Sequence, residues 1–231
     1  MHETVQQLLN LKREMPRSLT REFAGANPLV TAVLGFIDNR ANPVREAQEL
    51  LLSTEMTDLI ESGHVTIAMI KPRLDKHMNT AEVSFIDDPS LTAFLEDKIS
   101  TLQPVFSVSL KMTKKMVEEF YGRRQSNGKP SPKESMMSNT VSSGRTVWQE
   151  FIELMDSGPV TFIVLYDEEG RAVEKWRNEM GTTFNVDKLR ESEPGSLRAR
   201  YAITNQNNIF HGSDSPDSAI IERDFVANHM R

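Results

Sequence analysis

The side chains of this sequence that can do chemistry are five histidines and a scatter of lysines and arginines, with no cysteine among them. Without cysteine there is no disulfide and no thiolate metal site. An imidazole titrates near neutral pH and serves as nucleophile or as acid and base, but a lone histidine is more often structural, and His2, His64, His77 and His229 are read that way. His211 stands apart by context: it opens HGSDS, directly before a helix that Ser215 can cap and Pro216 can start. Residues 122–129, GRRQSNGK, resemble a phosphate loop only superficially, because five residues separate the glycines and Pro130 stands where Ser or Thr is needed. The acidic run 167–169 reads as a turn. A formal charge of −6 argues against a general nucleic-acid binder, so any phosphate site must be a local gathering of cations.

The elements that must position these groups follow from periodicity. Residues 1–62 carry apolar side chains at helical spacing, such as Val5, Leu8 and Leu9, then Leu29, Val33 and Phe36, then Leu50, Leu51 and Leu59, and form a helical N-terminal extension. HVTIAMIK, residues 64–71, is a buried strand that starts the main domain of residues 63–231. A helix capped by Ser90, a strand with Phe106, Val108, Leu110 and Met112, and a helix over 114–121 come next. Residues 122–144, rich in Ser, Gly, Pro and Asn, read as a mobile loop. Then come a helix over 147–156, a strand over 160–166, a helix over 171–180, a polar loop to Arg198, a strand RYAIT at 200–204 and the final helix. Mixed strands and helices of this kind indicate an α+β sandwich. No run approaches the roughly 20 apolar residues of a membrane helix, no secretory signal is visible, and no repeat of solenoid period occurs, so a cytoplasmic protein is expected.

The segment NIFHGSDSPDSAIIE, residues 208–222, resembles the active-site segment of nucleoside diphosphate kinases, whose pattern is close to NxxHGSDSxxSAxxE. The resemblance runs over roughly residues 65–222 and implies a ferredoxin-like antiparallel sheet with helices packed on it. It implies that His211 takes the terminal phosphate of a nucleoside triphosphate and passes it to a nucleoside diphosphate. Glu222 matches the glutamate that orients the imidazole, and Asn208 the residue that contacts the sugar hydroxyl. Lys71 in MIKP, Tyr121 in EEFYG, and Arg145, spaced correctly from the SGP of 157–159, match further site positions. So do Thr183 in MGTTF, Arg198 in PGSLR, and Arg177 just before that loop. The set makes chemical sense, because phosphoryl transfer asks mainly for stabilisation of charge spread over phosphate oxygens. Arginines can grip phosphate with two parallel bonds and a lysine adds a point charge. The family's Mg²⁺ rides mainly on the nucleotide phosphates, so no protein ligand to the metal is assigned.

The sequence also departs from the family. KPRLDKHMN replaces the usual KPDG, and the aromatic and apolar residues that clamp the base align with Val147 and Asn205. Trp148 is a candidate replacement ring, although VWQEFIELM reads more simply as core. The family's hexamers and tetramers imply a homo-oligomer, with altered contacts because the chain ends soon after Glu222. Two other readings stay open: a catalytically weak module that binds a protein partner, and a protein-histidine phosphotransferase.

Overall fold

A computed structural model describes residues 2–14, 43–72, 102–123, 130–182 and 185–230. Among the described residues three helices precede the sheet: α1 (Glu3–Glu14), α2 (Pro43–Leu51) and α3 (Thr54–Glu61). β1 (Val65–Ile70) and β2 (Gln103–Leu110) are followed by α4 (Lys114–Tyr121), α5 (Pro132–Met137) and α6 (Val147–Asp156). The order then runs β3 (Val160–Tyr166), α7 (Ala172–Met180), α8 (Val186–Ser192), α9 (Leu197–Tyr201), β4 (Phe210–Gly212) and α10 (Pro216–His229). The expected helix after Ser90 and the apolar positions Leu29, Val33 and Phe36 lie outside the described residues.

The four strands form one antiparallel sheet in the order β2-β3-β1-β4. β1 and β2 are thus separated by β3, and β4 returns to the far side of β1, the split arrangement of a ferredoxin-like α+β fold. Every residue of β1 and β3 is buried, which explains why both read as unbroken apolar runs rather than alternating ones. Ile67, Met69, Phe106, Phe162 and Val164 face a core that includes Phe151 and Phe225. Ala68, Ile70, Ile163 and Leu165 face a second core with Trp176, Met180 and Phe210. Val5, Leu8, Leu51, Met56, Leu59 and Ile60 of the N-terminal helices belong to the first core. Each large apolar side chain so buried stabilises the fold by about 1.5–3 kcal/mol. Among the described residues no helix is long and apolar enough to cross a membrane.

Three sequence expectations are corrected. Residues 200–204 are not a strand: Ser196 caps α9, which runs through Arg200 to Tyr201, and the strand is instead the short Phe210–Gly212. The segment expected to be a mobile loop contains α5, started by a reciprocal cap in which Ser131 and Glu134 each bond the other's backbone N–H, at 3.1 and 2.8 Å. After it, Val147 N–H bonds Asn139 O at 2.9 Å and Thr140 bridges Thr146, closing a small turn that leads into α6. The polar loop before Arg198 likewise contains α8, capped by Asn185.

Candidate active site

His211 sits in the middle of β4, at the sheet's edge, opposite Met69 of β1. Lys71 N–H bonds Ile209 O at 2.7 Å and Ser213 N–H bonds Ile67 O at 3.1 Å, so the strand is fastened at both ends. Just before it the chain makes a γ-turn: Phe210 N–H reaches Asn208 O at 2.7 Å around Ile209, whose φ is 68°. That is a rare conformation for a β-branched residue, costing about 1–3 kcal/mol, and it persists because the Ile209 side chain is fully buried in the second core. From beneath, the Trp176 indole N–H bonds His211 O at 3.1 Å, and a Cβ on Gly212 would come within 2.2 Å of that indole. Glycine is therefore required at 212 for close packing. Arg198 bonds the neighbouring carbonyl of Phe210 at 3.0 Å.

The imidazole is aimed by a carboxylate. Ser215 caps α10 by accepting Ser218 N–H at 3.1 Å, and two turns into the helix Glu222 Oε1 meets His211 Nε2 at 2.8 Å. The other oxygen, Oε2, accepts the Ser213 hydroxyl at 2.8 Å. An ionised carboxylate can only accept a hydrogen bond, so Nε2 carries the proton and the lone pair lies on Nδ1. Ring edges from α4 limit the imidazole's swing, with Phe120 at 5.4 Å and Tyr121 at 5.9 Å between centroids.

Cations surround this pair. Lys71 follows β1 and is buried; its ammonium bonds Asn208 Oδ1 and lies 5.5 Å from the centre of the Phe151 ring. Burial, with Arg198 adding repulsion, holds its pKa well below the ordinary lysine value. Burial, reinforced by Arg177, also pushes Arg198 down to about 10. Tyr121 is shifted up, by burial and then by the Glu222 charge, so it remains a phenol, donating to Met69 Sδ at 3.6 Å. Buried cations at close quarters repel each other, and an anion brought among them relieves the repulsion. The arrangement can receive an anion beside an oriented imidazole, the combination that phosphoryl transfer to a histidine requires.

Comparison with known proteins agrees. The family model for nucleoside diphosphate kinase matches residues 99–230, more than half of the chain. The chain belongs to the nucleoside diphosphate kinase family. It is 42% identical over 83 residues to nucleoside diphosphate kinase 6 of Danio rerio, an alignment covering 36% of this chain and 46% of that one. It is also 27% identical over 220 residues to the thioredoxin domain-containing protein 3 homolog of Heliocidaris crassispina, covering 93% of this chain and 22% of the other. The chain thus spans less than half the length of these curated relatives. The crystal structure of Aquifex aeolicus nucleoside diphosphate kinase superposes with a TM-score of 0.49 at 25% identity, covering 71% of this chain and 94% of that one.

Of the residues that match the kinase family's motifs, the fold brings His211, Glu222, Lys71, Tyr121, Asn208 and Arg198 together, with Arg177 close enough to Arg198 to shift it. Thr183 lies outside the described residues. Arg145 instead makes a two-pronged pair with Glu153 of α6, at 2.9 and 2.6 Å. Trp148 is core: it is 6% exposed, stacks on Phe151 and has Lys133 over its face. Asn205, at the other base-clamp position, caps α8 by accepting Val186 N–H at 2.8 Å. His229 bonds Phe225 O within its own helix, and His64 lies among Ser62, His2 and Tyr166. Among the described residues no cluster of three or more His, Asp or Glu is set to hold a metal. Sequence reasoning missed Ser213, Trp176, Phe120 and Phe151. Ser213 was signalled by its place in HGSDS, whereas the other three become visible only through contacts between distant elements.

Proposed function

We propose that the chain is a nucleoside diphosphate kinase that works through a phosphohistidine at His211. The observation that carries this reading is the 2.8 Å contact from Glu222 to Nε2, backed by Ser213, which commits the imidazole to the tautomer nucleophilic at Nδ1. In the first half-reaction the Nδ1 lone pair attacks the terminal phosphorus of a nucleoside triphosphate. The bond from that phosphorus to the bridging oxygen breaks, its electrons leave on the nucleoside diphosphate, and the new N–P bond holds the phosphoryl group. In the second half-reaction a terminal oxygen of another diphosphate attacks the same phosphorus and the N–P bond breaks. The Nε2 proton stays on the ring, donated to Glu222, whose carboxylate stabilises the positive charge that develops there.

Lys71 and Arg198 neutralise the phosphate oxygens, with Arg177 behind them and the Tyr121 hydroxyl as a neutral donor. Arg145 joins them by releasing Glu153. Thr183 is assigned a phosphate contact, and Asn208 the sugar hydroxyl in addition to its hold on Lys71. The carboxylate on His211, Glu222, is already engaged by His211 and Ser213, so Mg²⁺ belongs to the substrate, where it shields phosphate charge.

Two observations favour a second reading, a catalytically weak module: Arg145 is committed to Glu153, and the base-clamp positions carry Val147 and the capping Asn205. Incubation with γ-labelled ATP and Mg²⁺, followed by a chase with a nucleoside diphosphate, separates the readings. Acid-labile, base-stable label that moves to the diphosphate is the expected result. Folded protein that binds nucleotide and takes no label means the module. Label that forms but moves only to a protein acceptor means a protein-histidine phosphotransferase.

A further inference from the structure

The helix that carries Glu222 has a second side. Arg223, the next residue, is 4% exposed, a guanidinium taken almost wholly from water. Its Nε and Nη2 bond the adjacent Asp224, while Nη1 donates to Thr57 Oγ1 of α3 at 2.9 Å. Thr57 is fixed in turn, its hydroxyl lying 3.2 Å from Ser53 O. Farther along, Gln48 of α2 donates its side-chain amide to Ala227 O at 2.9 Å and Met230 O at 3.1 Å, carbonyls at the C-terminal end of α10 that have no partner in the helix itself. Apolar contacts run alongside, with Ala47, Leu51, Met56, Leu59 and Ile60 sharing a core with Phe225, Val226 and Met230.

We infer that the N-terminal helices are a positioning element for the histidine: Thr57 and Gln48 hold α10 in the register that keeps Glu222 on His211. This rests on the role proposed for Glu222. The argument is one of leverage. Glu222 and Arg223 are consecutive on a rigid helix, so a shift that breaks the Arg223 to Thr57 bond also moves the carboxylate at His211. A hydrogen bond of 2.8 Å does not survive a displacement of an ångström, and misplacement of that size reduces rates steeply. Lys71 and Arg198 stand on other elements, so nucleotide binding is insulated from such a shift. The signature is a lost rate at unchanged affinity.

The test is Thr57→Val in the full chain, which keeps shape and removes the acceptor, with Thr57→Ser as the conservative rescue. Single-turnover labelling by γ-labelled ATP is expected to slow roughly three- to thirty-fold in the valine variant, with nucleotide Kd unchanged and the serine variant restored. The second readout needs no activity: the ¹⁵N shifts of the His211 ring should move from one fixed tautomer toward the average of two as the Nε2 bond loosens. If Thr57→Val does not fold, Thr57→Ala and Gln48→Met are read in the same two ways. Folded variants with wild-type His211 shifts overturn the inference, as does a slowed rate that serine does not rescue. Shifts that move in a protein showing no phosphotransfer would uphold the positioning role while sinking the kinase reading.

Discussion

The inner and outer halves of the site are built differently. On the inner side Lys71, Asn208, Arg198, Tyr121 and Glu222 are buried, and each is held by a named neighbour on another element. On the outer side Arg145 is 38% exposed and paired with Glu153, Val147 is half-buried, and Asn205 caps a helix. The contrast separates two tasks. On the proposed function, transfer of the phosphoryl group falls to the preorganised interior, where every displacement is expensive. The same proposal gives recognition of the nucleotide to a surface whose groups change partners, and exposed ion pairs exchange at little cost.

The largest effect belongs to the inner half. His211→Ala should abolish acid-labile labelling altogether, whereas Glu222→Gln should lower it by about tenfold to a hundredfold, because the ring remains and loses only its orienting charge. Unchanged labelling in the alanine variant would end the assignment. Next comes Gly212→Ala, which drives a methyl group into Trp176. It should cost about 1–3 kcal/mol of stability in denaturant unfolding and slow labelling as β4 shifts. A wild-type unfolding midpoint would mean that the indole yields more easily than its packing implies.

Lys71 gives a pH test of intermediate size. Its folded-state value lies below the unfolded value near 10.5, so the unfolded chain binds more protons between the two, and stability rises with pH across that window. The same shift makes nucleotide affinity fall on the alkaline side at a pH lower than an ordinary lysine allows, and binding should take up a proton there. Lys71→Met should remove that limb from a calorimetric pH series. The smallest effect is on the outer side: Glu153→Gln frees Arg145 and should lower the nucleotide KM by less than about fivefold, with kcat unchanged. A raised KM would show instead that Glu153 orients Arg145 for substrate.

Much of this was legible in the sequence where local signals agree. α6 and β3 fall on the expected boundaries, and Thr146 with Gln149 forms the reciprocal cap that starts α6. Ser215 and Pro216 start α10 as read. The failures have physical causes. RYAIT has β-forming side chains, but Ser196 initiates a turn of helix there and tertiary packing overrides propensity. β4 is three residues long, too short for any period to register. α5 was announced by Ser131-Pro132 and Glu134, a capping signature obscured by the polar composition around it. For the site, the motif supplied His211, Glu222 and Asn208, but Arg145's partner depends on a carboxylate eight residues away that no phosphate motif contains.

The bonds from Gln48 to Ala227 and Met230 span 179 and 182 residues of chain. During synthesis α2 and α3 leave the ribosome before the helix they grip, which is made only after the whole sheet. At about 5–20 residues per second they wait on the order of ten seconds before α10 can cover its share of their apolar faces. Contacts of such long range slow folding, and a chain cut before α10 should leave α2 and α3 without the Phe225, Val226 and Met230 side chains that share their core. In this protein helices made before the sheet and a helix made after it complete the fold together.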